Sequence, residues 1–293
     1  MGAFFNLDFE KFIFSGKKKY IPHKNINLAY EYLMLYLEND VCLQGEYESS
    51  FINHVSNLSQ HEFTFSKNIT TYWINDFLDI ENKKRLNSKI ELYQFYKLHN
   101  IYSDFEIFKY KNEKLLKGKV VKYDGGFSGN KVFFEKAPFS PPFIVEGIKK
   151  RTLDFSLLFS EGDSYGYVNV ISDKLNYKET QYRGLDAFEF IESLDIDSKK
   201  KNKFLFDVEL IRKKFIKNDL RGIWSLDSFL YLEDGDIQIH PGSEINFRKT
   251  MGYLSINIAK KLGGNKFKFS LTNSESIQLA PPDSRYQSSI SLL

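Results

Sequence analysis

The sequence predicts an α/β protein built of lobes: a small N-terminal α/β lobe, then α+β lobes on antiparallel strands. Three observations carry this. The first seventy residues alternate short apolar β-rich runs with stretches of helical period, as in a parallel sheet covered by helices. Residues 105–160 are short strands parted by Gly, Ser and Pro, the pattern of an antiparallel sheet. Residues 224–248 read as two long strands around an acidic turn, EDGD, before a further helix.

Taken in order, EKFIF and DVCLQG are expected strands, INLAYEYLMLYLEN an amphipathic helix, ESSFINHVSNLSQ a second helix and HEFTF a strand. KRLNSKIELYQFYKLHN (84–100) has helical rhythm at Leu86, Ile90, Tyr93, Tyr96 and Lys97, with Asn87 or Ser88 as its N-cap. FEIFKY, GKVVKY, KVFFEK, FIVEGI and LDFSLLF make the antiparallel sheet, and GYVNVISDKLNY continues it. DAFEFIESLD and KKKNKFLFDVELIRKKFIKN are expected helices, with the lysine run at 199–203 as a solvated turn. MGYLSINIAKKL is a helix closed by Gly263-Gly264, and the tail from 265 is expected to be weakly structured. There is no internal repeat.

Composition narrows the function classes. The chain has 293 residues, 42% hydrophobic and 27% charged, ordinary for a globular protein. A formal charge of +3 is too small for nucleic acid or an anionic membrane to be the main partner. Cys42 is the only cysteine, which suits a reducing cytosol. No basic start leads into an apolar run at the N-terminus, and no window approaches the roughly 18–20 apolar residues that span a bilayer. The expected address is cytoplasmic.

Two stretches carry chemistry. In HPGSEINFRKTMG (240–252), Glu244, Asn246 and Arg248 alternate with Ile245 and Phe247, so an extended strand would set an acid, an amide and a guanidinium on one face. In VVKYDGGFSGNKVFF (120–134 region), Lys122 is followed by Gly125, Gly126, Ser128 and Gly129. Glycines let backbone amides surround phosphate oxygens, and a lysine supplies charge. The spacing is not that of a Walker loop. Lys122-Tyr123-Asp124-Gly125 also matches a short signature of enzymes that form a covalent lysyl-nucleotide, without that group's later motifs.

The order of these pieces resembles the ATP-grasp superfamily over roughly residues 75–262. LNSKIELYQFYKLHNI is similar to its asparagine, residue, lysine and helix, and KVVKYDGGFSGNKVFF to its second lysine strand and glycine-rich lid. FIVEGIKKRTLDFSL resembles the hinge strand, and SLDSFLY with SEINFR the metal-binding strand pair. The resemblance implies a lobe at 1–80 and an ATP-grasp domain at 81–293, with a lid and hinge at 105–160, a metal-binding part at 161–262 and a tail at 263–293. It implies that Lys89 and Lys122 contact ATP phosphates, that Gly125, Gly126, Ser128 and Gly129 close over them, and that Glu146 and the backbone near Gly147 and Ile148 meet the adenine. Asp154 would hold ribose hydroxyls, although its spacing from Glu146 is one residue longer than in some members. Asp227, Glu244 and Asn246 would hold magnesium, two ions, with manganese as a substitute. Arg248 would grip the phosphoryl group, and Arg183 or Arg221 the substrate carboxylate or acyl phosphate.

Ser225 stands where related ligases often carry an arginine. His240 is read as structural, as are His23, His54, His61 and His99, and Cys42 as core. The implied activity is an ADP-forming ligase that joins a small-molecule or peptide carboxylate to an amine. The alternatives are a nucleotide-binding sensor without ligase activity and a phosphotransferase. A homodimer is the expected assembly if the chain pairs.

Overall fold

The structure, a computed structural model, describes residues 2–6, 9–15, 17, 21, 29–60, 62–67, 69–72, 80–109, 116–125, 131–138, 140, 142–172, 177–216 and 222–293. The chain forms two compact units, one of Met1–Asp79, Lys178–Gly184 and Arg248–Leu293, the other of Ile80–Tyr177 and Leu185–Phe247. Among the described residues no helix is long and apolar enough to cross a membrane.

The first unit opens with strand β1 (Gly2–Phe4), helix α1 (Phe9–Ile13), β2 (Asp40–Val41), helix α2 (Ser49–Ser59), β3 (Thr64–Phe65) and β4 (Ile69–Tyr72). The strands lie in the order β3-β2-β1-β4, all parallel, as the alternating sequence pattern predicts. EKFIF is a correction: it is helical in α1, because Phe9, Phe12 and Ile13 are all buried at the i, i+3, i+4 spacing of one helix face. The expected amphipathic helix over INLAYEYLMLYLEN is, among its described residues, a 3-10 helix at Glu31–Tyr36. All six of its side chains are buried, so it has no polar face to show. Glu31 is tolerated there because its carboxylate accepts the Gln44 and Gly45 amides and the Tyr47 hydroxyl.

The second unit begins with helices α3 (Ile80–Leu86) and α4 (Lys89–Leu98) and the strands β5 (Phe105–Phe108), β6 (Lys119–Lys122), β7 (Val132–Phe134) and β8 (Phe143–Gly147). These four strands form an antiparallel sheet in the order β5-β8-β6-β7, closed by Val121, Tyr123, Phe143 and Val145. Strands β9 (Lys150–Ser160) and β10 (Asp163–Ile171) follow, and β11 (Tyr177–Tyr182) returns the chain to the first unit.

Helices α5 (Ala187–Ser193) and α6 (Ser198–Leu210) come next, then strands β12 (Trp224–Glu233), β13 (Asp236–Ile239) and β14 (Glu244–Asn246). The lysine run at 199–203 is not a turn but the first part of α6. Asp197 caps that helix by accepting the Lys199 and Lys200 amides, and lysine is a good helix former. The second unit's core joins Phe155, Leu157, Leu226, Trp224 and Ile245 of the sheet to Phe190 and Phe204 of α5 and α6.

The hairpin turns at Asp234 (φ 51°) and Gly235 (φ 81°), the left-handed pair that matches the twist of two antiparallel strands. Its second arm is not one long strand. It leaves the ladder after Ile239, because Pro241 cannot donate to it and Gly242 turns at φ 140°. A Cβ on Gly242 would run into Leu226 and lie 2.6 Å from the Tyr96 hydroxyl. The chain rejoins β12 as β14, pairing Asp227 with Glu244 and Ser225 with Asn246.

Helix α7 (Met251–Lys261) and strands β15 (Phe267–Ser270), β16 (Ile277–Gln278) and β17 (Ser289–Leu292) complete the first unit. The tail is therefore ordered, against the expectation. Phe267, Phe269 and Ile290 are fully buried, and the Tyr36 hydroxyl donates to the Leu279 carbonyl at 3.0 Å.

Candidate active site

Strands β9, β12 and β14 divide their residues by face. Leu153, Phe155, Leu157, Leu226, Leu230 and Ile245 alternate onto the core side. Asp154, Ser156, Ser225, Asp227, Glu244 and Asn246 therefore share the opposite face, joined by Asn169, the β10 partner of Asp154. A linked set of side chains holds Asp227: Asn169 donates to Ser156 at 2.6 Å, Ser156 to Asp227 at 2.6 Å, and the Asn246 amide to the other Asp227 oxygen at 2.8 Å.

Helix α4 delivers Lys89 to this face. Ser88 caps the helix by accepting the Glu91 amide, and Asp124 receives both the Ser88 hydroxyl (2.7 Å) and the Ile90 amide (3.2 Å). Asn87 accepts the Phe247 amide at 2.8 Å, which ties the start of α4 to the end of β14. Lys89, 3% exposed, then donates to Glu244 Oε1 at 2.7 Å.

Around Lys122 of β6 and Glu146 of β8 lies a second, buried cluster. Lys122 is ion-paired with Glu146 and donates to the Tyr93 hydroxyl at 2.9 Å, and Tyr93 donates to Glu146 at 2.9 Å. His240, fully buried, accepts the Gly242 amide at Nδ1 (3.1 Å), so its proton belongs on Nε2, which faces Glu146 at 3.7 Å. Burial alone would raise the Glu146 carboxyl; Lys122 and His240 outweigh it and hold the carboxyl well below its usual range. Burial also pushes the His240 imidazole down to about 4, against the pull of Glu146. Tyr93 completes the ion pair, while His240 Nε2 stays beyond hydrogen-bond reach of Glu146.

Between the β5-β8-β6-β7 sheet and β9 opens a cleft of about 340 Å³, within the usual range for a ligand pocket. Val120, Phe134, Ile148 and Phe229 give it apolar walls, and Arg151 and Asp154 its polar end. Arg151 lies 3.9 Å over the Phe229 ring and donates to Asp154 at 2.7 Å. Burial raises the Asp154 carboxyl, and Arg151 partly offsets it.

No protein-family profile and no curated protein matches the chain. Similar solved structures include N5-carboxyaminoimidazole synthetase from Staphylococcus aureus complexed with ADP, at 13% identity and TM-score 0.48, covering 86% of this chain and 81% of that one. An ATP-grasp superfamily protein from Archaeoglobus fulgidus matches at 14% identity and TM-score 0.48 over 99% of this chain and 98% of its own. D-alanine-D-alanine ligase from Helicobacter pylori matches at 17% identity and TM-score 0.37, over 66% and 63%. At these scores the likeness assigns no residue a role, and the roles rest on the geometry above.

The structure brings Asp227, Glu244, Asn246 and Lys89 together on the sheet face, and Glu146, Ile148 and Asp154 around one cleft. Lys122 is instead sequestered at 3% exposure, which also removes it as an exposed nucleophile for lysyl-nucleotide chemistry. The Ile148 amide is already donated to Gly118 O at 3.0 Å. Gly125 turns at φ 66°, while Gly126, Ser128, Gly129 and Arg221 lie outside the described residues. Strand β14 ends at Asn246, so its alternation does not reach Arg248. Arg248 and the exposed Arg183 belong to the first unit. Sequence reasoning missed Asp124, Ser156 and Asn169, which act through partners distant in the chain, and Arg151, which bonds Asp154 three residues on. Nothing in the helical period that marks Tyr93 as core reveals that its hydroxyl bonds Lys122 and Glu146.

Among the described residues no three His, Cys, Asp or Glu side chains cluster as a metal site. The donor set is two carboxylates with an amide, and a cation already stands against one of them, the Lys89 ammonium at Glu244. Hard oxygens facing a positive charge fit magnesium.

Proposed function

We propose that the chain is an ATP-dependent ligase that activates a carboxylate as an acyl phosphate and joins it to an amine. The observation that supports this best is the shared sheet face, where the carboxylates of Asp227 and Glu244 lie opposite each other beside a buried lysine. On this reading the purine lies between the apolar walls of the cleft, and Asp154, oriented by Arg151, receives the ribose hydroxyls. Lys89 meets the phosphates. Asp227, Glu244 and Asn246 hold magnesium, which supplies neutralisation of phosphate charge. Asn169 and Ser156 keep Asp227 aligned, since a carboxylate bonded on both oxygens keeps one rotamer.

The work of the protein is positioning and charge compensation, as in phosphoryl transfer generally. The substrate carboxylate oxygen attacks the γ-phosphorus and ADP leaves. The amine then attacks the acyl carbon, and the carbon–oxygen bond breaks to release phosphate. An amino acid or peptide is the proposed substrate class, with a cytoplasmic setting.

The test is ADP release with ATP, magnesium and pooled acids and amines. Release that needs both an acid and an amine is expected, and Glu244→Gln should lower it by at least 100-fold, the scale of losing one electrostatic group at a reacting phosphate. Tight nucleotide binding without turnover on any pool would replace the ligase with a sensor, and a phosphorylated product with a phosphotransferase.

A further inference from the structure

We infer that the first unit holds a binding site of its own, for a small zwitterion with an apolar body: a free apolar amino acid or a dipeptide of such residues. The site does not depend on the ligase reading, since every residue that lines it belongs to the first unit.

Three observations carry it. First, a cavity of about 720 Å³, within the range of small-molecule pockets, opens at the carboxyl ends of the neighbouring parallel strands β2 and β3. Ligands of parallel sheets bind outside that end of the strands. Cys42 and Ser66, which directly follow the two strands, line the cavity, and Ser49, Ile52 and Asn53 add one face of the start of α2.

Second, the loop between β2 and α2 is fixed without a ligand. The buried Glu31 carboxylate accepts the Gln44 amide at 3.0 Å, the Gly45 amide at 2.6 Å and the Tyr47 hydroxyl at 3.2 Å. Gly45 and Tyr47 both line the cavity, so a ligand has little of this wall left to order.

Third, the charges of the lining are opposite and open. Glu46 and Lys67 are its only acidic and basic side chains, both are exposed, and neither forms an ion pair among the described residues. Helix α2 also starts without a side-chain cap, which leaves its first amides open to a carboxylate. Leu43, Ile52 and Phe65 supply apolar surface, and Phe65 is left 57% exposed.

This combination selects the ligand's chemistry. A plain anion would meet Glu46 unfavourably, and a plain amine Lys67. A phosphorylated ligand carries more negative charge than one lysine beside a glutamate can offset. A zwitterion satisfies both groups, its carboxylate at Lys67 and the α2 amides and its ammonium at Glu46, while its side chain covers Leu43, Ile52 and Phe65.

The test is isothermal titration calorimetry of the full chain, without ATP or magnesium, against L-leucine, L-phenylalanine and the dipeptide Leu-Leu. Saturable binding of either amino acid identifies a free amino acid as the ligand, and binding of Leu-Leu alone a dipeptide. Phenylpropionate, which lacks the amine, and phenylalaninamide, which lacks the carboxylate, should each bind on the order of fivefold more weakly than phenylalanine, the scale of one exposed ion pair. Glu46→Gln and Lys67→Met, both at exposed positions, should weaken the bound ligand by a similar factor. Cys42, the only cysteine and 9% exposed, reports the place: the ligand should slow its reaction with a thiol reagent at the concentrations at which it binds. Binding that neither variant weakens overturns the site, as does saturating ligand that leaves the Cys42 reaction unchanged. No binding of any of the three compounds overturns the inference, while ADP release with acid and amine still decides the ligase reading separately.

Discussion

His240 and Gly242 show how single residues set this site. The imidazole is neutral because burial holds it near 4, below the ordinary value of 6.5. The unfolded chain takes a proton below 6.5 that the folded protein refuses until about 4. Stability that is full above 6.5 is therefore lost as pH falls from 6.5 towards 4, by roughly 3 kcal/mol at most. Glu146, whose carboxyl is held low, adds to acid loss only further down, below its unfolded range. Urea unfolding at pH 7 and pH 4.5 should show this slope in the wild type and a flatter one in His240→Gln; equal slopes would refute the assignment. At Gly242, the positive φ and the nearness of Leu226 and Tyr96 leave no room for a side chain. Gly242→Ala should cost about 2–4 kcal/mol in denaturant unfolding, from strain and overpacking together.

At the scale of elements, the buried cluster joins β6, β8, α4 and the connection into β14 through Lys122, Glu146, Tyr93 and His240. Breaking one half of a buried pair leaves an uncompensated charge, so Glu146→Gln alone should cost about 3–5 kcal/mol. Combined with Lys122→Met, most of that loss should be recovered. Additive losses in chemical denaturation would show that the two do not act as a pair. Much of this architecture is legible in the sequence, because period and turn chemistry are local: the EDGD turn, the Ser88 cap and the short strands from 105 all follow from neighbours. EKFIF is not, since five apolar-rich residues fit either period until their packing is known. The break at Pro241 and Gly242 was readable from those two residues, yet the alternation at 244–248 drew the strand on through them. The tail's strands depend on burial of Phe267, Phe269 and Ile290, which composition does not announce.

For the whole molecule, six residues singled out by the order of motifs, Lys89, Glu146, Asp154, Asp227, Glu244 and Asn246, lie within the second unit at one sheet face and one cleft. What the sequence could not supply are the partners, such as Asp124 for α4 or Asn169 and Ser156 for Asp227, because a hydrogen bond across 36 or 71 residues leaves no local pattern. Nor could it show that Lys122 faces inward, since a buried ion pair and a phosphate lysine look alike as a letter. The central claim is that a carboxylate oxygen attacks the γ-phosphate of ATP and leaves with it. Pooled acids labelled with oxygen-18 in their carboxylates, supplied with ATP, magnesium and amines, test this by mass spectrometry of the released phosphate. One labelled oxygen per phosphate is the expected result. Unlabelled phosphate accompanying ADP would contradict it, since the oxygen would then have come from water.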